Sequence, residues 1–115
     1  RAEVKPTLDG YILQVVDWNH IVRGTIKEQS GPESSVFTLL NEEGKEIASS
    51  GSVSSNNFKL VSPQGTVLAI FENDRHGLIG GVKIRKASGI DGMLVTLVAA
   101  MNGDAAYRRA RLSRR

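Results

Sequence analysis

The feature that most constrains the fold is an apolar run near the C-terminus, from Met93 to Met101. Every residue in this run except Thr96 is apolar, so a helix formed here would have no polar face. A helix that is apolar all round is buried all round. The run is about half of the ~20 residues that a bilayer span requires. We therefore predict a core helix over residues 90–101, with Ser88 and Asp91 at its start and Asn102-Gly103 as its stop.

The chain before this run has the side-chain alternation of β-strands. Residues 11–16 and 21–27 flank the turn sequence DWNH, which predicts a β-hairpin. Residues 78–87 predict a further strand, with Val82 and Ile84 on one face and Lys83 and Arg85 on the other. Residues 1–9 indicate an arm or a loose edge strand. Residues 49–57, SSGSVSSNN, indicate an exposed and mobile connection.

An internal repeat is the most specific local pattern. The segment FTLLNEEGKEIA at 37–48 matches FKLVSPQGTVLA at 58–69 when the chain is shifted by 21 residues. Each copy reads as a strand, a turn with glycine at its end, and a second strand. The pattern predicts two equivalent hairpins in a meander or barrel, with a positive φ at Gly44 and Gly65.

The charges of the chain fall into two parts. The net charge is +3, but five arginines lie within residues 108–115. Without them 10 basic residues stand against 12 acidic ones, so residues 1–107 are mildly acidic. The pattern predicts a β-rich domain over 1–107 and a basic C-terminal tail over 108–115, the tail being a second short helix or disordered.

No catalytic constellation is found in the sequence. Cysteine is absent, which excludes disulfides, thiolate chemistry and cysteine zinc sites. The two histidines, His20 and His76, each follow an aspartate within a turn sequence, which is typical of solvated turns and lacks the spacing of a helical metal-binding pair. We predict a non-enzyme without a metal or cofactor. Trp18 is interpreted either as a core plug at one end of the sheet or as an exposed contact residue.

Two clusters of basic residues are the candidate binding groups for an anion. Lys83, Arg85 and Lys86 lie on the predicted strand before the helix. Arg108, Arg109 and Arg111 belong to the tail. Such clusters attract anionic membrane surfaces or nucleic-acid phosphates. The alternative is a solvated strand face and a solubilising terminus. Aromatic residues make up only 5% of the chain, so base stacking is not favoured.

The repeated hairpins and the late apolar helix together resemble the tubby-like C-terminal superfamily, which includes the LURP-one-related proteins and the phospholipid scramblases. The resemblance covers about residues 36–104, with NEEG and SPQG in the two hairpin turns. It implies a closed antiparallel barrel around a C-terminal helix and a rim that binds lipid headgroups. The family barrel requires more than 115 residues, so strands would be missing, shortened or supplied by a partner. The calcium-binding acidic loop and the palmitoylated cysteines of scramblases have no counterpart here.

We therefore expect a mainly β protein, an antiparallel β-barrel or strongly bent sheet packed around one hydrophobic C-terminal helix. The expected function is a non-enzymatic binding module for anionic lipid headgroups or another phosphate-bearing partner. The alternative is an assembly protein whose strand edges and basic tail contact other subunits or nucleic acid. An intracellular location, soluble or peripheral to a membrane, and association with itself or another protein complete these expectations.

Overall fold

The computed structural model describes residues 1–74, 81–87 and 89–113. These residues form one antiparallel sheet of eight strands, followed by one helix. The elements are β1 (Ala2–Pro6), β2 (Gly10–Val16), β3 (Val22–Ser30), β4 (Ser35–Leu40), β5 (Glu46–Val53), β6 (Phe58–Val61), β7 (Val67–Asn73), β8 (Val82–Lys86) and α1 (Gly92–Ser113). The expected mainly β architecture with a C-terminal helix is confirmed.

Each strand pairs with its neighbours in sequence, so the sheet is a simple meander. The sheet is strongly bent. The rings of Phe37 on β4 and Phe58 on β6 have centroids 6.4 Å apart, although β5 separates strands that would lie about 9.6 Å apart in a flat sheet. The sheet is not closed, because no ladder joins β1 to β8 among the described residues. The residues described here therefore do not form a complete barrel.

The core lies between the inner, concave face of the sheet and α1. Phe58 and Phe71 stack with their ring centroids 4.1 Å apart, and α1 contacts β3, β4 and β8. Gly24 makes room for the helix, since a Cβ built on it would lie 3.0 Å from a methyl carbon of Leu94. The inner face and the helix contribute these buried side chains: Leu13, Ile26, Phe37, Leu39, Ala48, Val53, Leu60, Ala69, Phe71, Ile90, Leu94, Val95, Val98 and Met101.

The two repeated hairpins, β4–β5 and β6–β7, have the same geometry. Gly44 and Gly65 have φ values of 80° and 91°, as the repeat predicts. Leu39 is paired with Ala48, and Leu60 with Ala69, and each hairpin has a register shift at the following residue. In both turns the backbone N–H of the first residue donates to the carbonyl of the residue four positions later. The backbone N–H of that later residue donates in return to the side-chain oxygen of the first residue.

The β2–β3 hairpin is a third copy of this unit. Asp17 bonds Ile21 in the same two ways, over 3.0 and 3.1 Å. The fourth turn residue is His20, which has a φ of 63° where the other copies have glycine. The register shift follows Val15, which is paired with Gly24. The sequence comparison missed this copy because histidine replaces the glycine.

The helix differs from the prediction in its length and in its exposure. It begins at Gly92, where Asp91 accepts a 2.8 Å hydrogen bond from the backbone N–H of Met93 and acts as the N-cap. Ser88 lies outside the described residues. The apolar run is not buried all round, because Met93 is 58% exposed, Thr96 is exposed and Leu97 is only partly buried.

The predicted stop at Asn102-Gly103 is wrong, since α1 continues to Ser113. Asn102 is buried, and its side-chain amide donates to the carbonyl of Ser55 over 3.0 Å. An Asn-Gly pair often ends a helix. Here tertiary contacts keep the pair in helical conformation within α1.

Residues 49–57 are a connection between strands only in their second half, residues 54–57. Their first half completes β5, which ends at Val53, a residue that is 1% exposed in the core.

Candidate anion-binding face

The structure places the two predicted basic clusters at opposite ends of α1. The side chain of Lys86 lies close to Gly92, in the first turn of the helix. Arg108 lies sixteen residues further along α1, which corresponds to about 24 Å at 1.5 Å per residue. The six candidate residues therefore do not form one site.

Arg108 is bound into the body of the protein. Its guanidinium group forms an ion pair with Glu28 of β3 over 2.9 Å and another with Asp104 over 3.0 Å. The Glu28 side chain is 1% exposed, and it also accepts a hydrogen bond from the hydroxyl of Ser30. The guanidinium carbon lies 4.5 Å from the ring centroid of Tyr11, within the range of a cation–π interaction.

The electrostatics of Arg108 follow from these contacts. Burial lowers the pKa of Arg108, but its hydrogen bonds and charge interactions with Glu28 and Asp104 raise that pKa above the ordinary value. The charged guanidinium group therefore links α1 to β3 of the sheet through Glu28.

The remaining two tail candidates differ from each other. Arg109 donates a 2.9 Å hydrogen bond to the hydroxyl of Ser35, which is buried at the start of β4. Arg111 is exposed, with its guanidinium carbon 5.9 Å from the ring centroid of Tyr107. Residues 114 and 115 lie outside the described part. The predicted tail is thus, up to Ser113, the last part of α1.

Three exposed basic side chains come together on the outer face of β6–β8. Ile70 of β7 is paired with Lys59 on one side and with Arg85 on the other. Lys83, two residues from Arg85, projects from the same face, as the alternation predicts. Lys59, Lys83 and Arg85 are all exposed. We call these three residues the basic face.

The basic face includes the apolar Ile70 and one acidic group. Of its three cations, Arg85 alone lines the adjacent groove of about 160 Å³, which Leu68, Ile70 and Lys86 also line. Glu72 is paired with Lys83 in the ladder and forms an ion pair with Arg85. Lys86 belongs to the opposite side of β8, because it is paired with the buried Ala69. The prediction that Lys83 and Arg85 share the outer face is confirmed, and Lys86 is not part of that face.

Lys59 was missed by the sequence analysis. It lies 24 residues before Lys83 in the sequence, so no local cluster marks it. The repeat contained a usable signal, because the second residue of each copy, Thr38 or Lys59, is flanked by two inward-facing residues and therefore projects outward.

The N-terminal half of the sheet carries a similar row. Ile12 of β2 is paired with Lys5 of β1 and with Lys27 of β3. Both lysines are exposed. This row lies beside a groove that also contains Asp9, whose carboxylate accepts a 3.2 Å hydrogen bond from Gln29. Lys5 and Lys27 beside Ile12 thus correspond to Lys59 and Arg85 beside Ile70. In the described part of the chain, no third cation next to them corresponds to Lys83.

Asp17 and His20, in the first of the two turns considered for a metal site, make other contacts. The backbone N–H groups of Ile21 and Asn19 and the guanidinium group of Arg23 lower the pKa of Asp17. His20 contacts the guanidinium group of Arg1 over 2.8 Å. His76 lies outside the described residues, and within those residues no group of three or more metal-ligating side chains occurs. Trp18 is 95% exposed, so it is not a core plug.

The comparisons with known proteins leave the chain unassigned, since no protein-family model, curated protein or solved structure matches it. The resemblance to the tubby-like superfamily therefore stays a prediction. In the part of the chain that is described, no helix combines the length and hydrophobicity needed to cross a membrane.

Proposed function

We propose that this chain is a non-enzymatic binding module for anionic lipid headgroups, and that the basic face is its contact surface. The observation that carries the proposal is the strand register, which gathers Lys59, Lys83 and Arg85 from two non-adjacent strands onto one exposed face. A broad sheet surface with several cations suits an array of headgroups better than it suits one enclosed ligand.

The strength of this contact follows from the charges. A lysine or arginine close to an anionic membrane contributes ~1 kcal/mol, and the effect decays over ~8 Å at physiological salt. Three cations would thus contribute about 3 kcal/mol, reduced by the nearby carboxylate of Glu72. Binding by one copy should be weak, reversible and strongly dependent on salt.

The tail has a smaller role in this proposal than its charge suggests. Arg108 and Arg109 are held by Glu28 and Ser35. Among the three tail candidates, Arg111 is the one whose position on the exposed end of α1 suits contact with a surface. The rim-binding role that the tubby-like resemblance implies agrees with headgroup binding. A closed barrel would require additional strands to join β1 and β8.

Vesicle co-sedimentation with a matched control tests the proposal. The variant Lys59→Gln/Arg85→Gln removes the two cations that flank Ile70, and the control Lys27→Gln/Lys45→Gln removes two exposed cations that lie outside the basic face and outside β1. We expect binding to phosphatidylcholine vesicles that contain phosphatidylserine and none to phosphatidylcholine alone. The first variant should bind about 30-fold more weakly, as loss of two cations at ~1 kcal/mol each implies, and the control should be nearly unchanged.

Two outcomes would contradict the proposal. Equal losses in both variants would mean that only the overall charge matters. Unchanged binding in the first variant would exclude the basic face. A parallel gel-shift measurement with duplex DNA separates the sources of phosphate, since stronger binding to DNA than to the vesicles would favour nucleic acid over lipid.

A further inference from the structure

The edge strand β1 carries a pattern of charge and backbone groups that is complementary to itself. Arg1 and Val16 exchange backbone hydrogen bonds of 2.9 and 2.8 Å, and the N–H of Thr7 donates to the carbonyl of Gly10 over 2.9 Å. Backbone groups in an antiparallel strand point alternately to the two sides. Glu3 and Lys5 therefore bond to β2, and the backbone groups of Ala2, Val4 and Pro6 point away from the sheet.

An antiparallel copy of β1 fits this edge in one register. If Val4 faces Val4 of a second copy, Glu3 of each copy faces Lys5 of the other, on the outer side of the sheet. Opposite charges directly across a strand pair are favourable. The two Val4 residues would exchange both of their backbone hydrogen bonds. The outward N–H of Ala2 would bond the carbonyl of Pro6 of the other copy, but Pro6 has no N–H to return that bond, so the ladder would consist of two bonds between the Val4 residues and one at each end.

The inner side of this edge is incompletely covered, and it carries apolar side chains together with the ion-paired Glu28, Asp104 and Arg108. Val4 is 57% exposed and lies at a groove of about 270 Å³ between β1–β2 and α1. The apolar lining of the groove includes Tyr11, Ala100 and Met101. A second copy of β1 would cover Val4 on its open side, where the sheet now ends.

The other edge of the sheet excludes the same arrangement. Ala87 donates to the carbonyl of Leu68, so the alternation along β8 points the backbone groups of Ile84 away from the sheet. An antiparallel pair centred on Ile84 would place Lys83 opposite Arg85 twice. Like charges directly opposite each other are destabilising. Of the two open edges, β1 is complementary to itself and β8 repels itself.

We infer that two copies of this chain associate through antiparallel β1–β1 pairing about Val4, which joins their two sheets into one continuous sheet. The interface is isologous, as in most symmetric dimers. The inference does not rest on the proposed function, because the basic face lies at the opposite end of the sheet from β1.

A charge exchange tests the register. Glu3→Lys gives a β1 with two lysines, and Lys5→Glu gives one with two glutamates, so each variant should repel itself. Mixing the two variants restores two opposite pairs, and a heterodimer should form. The measurement is mass by sedimentation velocity over a range of concentrations, with Glu43→Lys in the exposed β4–β5 turn as the charge-reversal control. The native chain and the control should be dimers, each single variant should be a monomer, and the mixture should be a dimer.

A backbone variant tests the strand pairing itself. Val4→Pro removes an N–H that the folded monomer does not use, since it points away from β2. We expect a folded monomer by circular dichroism and sedimentation. A native chain that is monomeric at every concentration overturns the inference, and so does a dimer that survives both single charge variants. If Val4→Pro fails to fold, the charge exchange alone decides.

Discussion

The two halves of α1 are held to the sheet by different forces. From Gly92 to Met101 the buried side chains are apolar, with Leu94, Val95 and Val98 packed into the core. From Asn102 to Ser113 the helix is held largely by polar contacts, which reach the β5–β6 connection, β3 and β4. The cationic segment that suggests a loose tail in the sequence is therefore part of the folded domain up to Ser113.

The largest effect is expected in the apolar half. Val98 is 0% exposed, so Val98→Asp would bury a carboxylate without a partner. We expect a loss of more than about 4 kcal/mol in the free energy of unfolding, which is a large part of the about 5–15 kcal/mol that is typical of a folded domain. Urea denaturation followed by circular dichroism measures this loss. Thr96→Asp, on the exposed side of the same half, is the control and should change stability little.

The second effect concerns the polar half. Arg108→Ala leaves the Glu28 carboxylate buried without its ion-pair partner, and we expect a loss of up to about 3 kcal/mol. Deleting residues 108–115 should cost at least as much, rather than leave the fold intact as a free tail would. The measurement is again denaturation, with Arg111→Ala as the exposed control.

A double variant separates the net contribution of the ion pair from the cost of leaving the Glu28 carboxylate buried and unpaired. Glu28→Leu/Arg108→Leu removes both charges and should recover a large part of the stability lost in Arg108→Ala. If Arg108→Ala is as stable as the native chain, this ion pair does not hold the second half of α1 on the sheet. The proposed difference between the two halves of the helix would then be wrong.

A smaller effect is expected at the N-terminal end of the helix. Asp91→Ala removes the side chain that accepts from the N–H of Met93 and should lower stability by about 1 kcal/mol. Asp91→Asn retains the acceptor and should lose less. Thermal unfolding measured for both variants distinguishes a cap from a merely favourable charge.

The smallest effect is a gain. Gly103 lies at the boundary of the two halves in helical conformation, and a Cβ built on it meets nothing within 4 Å. Gly103→Ala should therefore raise stability by about 0.5–1 kcal/mol, because glycine costs that much in a helix interior. Gly44→Ala, at a φ of 80°, should do the opposite. A loss at Gly103 would mean that the two halves are not one continuous helix in solution.

Local features of the fold could be predicted from the sequence, and features that depend on distant partners could not. The hairpins at Gly44 and Gly65 follow from residues only a few positions apart. Glu28 lies 80 residues from Arg108, so nothing near Arg108 in the sequence shows that it is bound rather than solvated. The same holds for the candidate site. Lys83 and Arg85 follow from alternation on one strand, whereas Lys59 joins them only through the ladders of β7.

The meander order has a consequence for the way the chain folds during synthesis. Every strand pairs with a neighbour in sequence, so the sheet can assemble progressively while the chain is made. The helix that covers its concave face is the last element, 22 residues long. At about 5–20 residues per second, Phe37 and Phe71 stay uncovered for at least about 1–4 s after β8 is complete. A nascent sheet whose apolar face is uncovered is prone to aggregation, and α1 ends that state by covering this face.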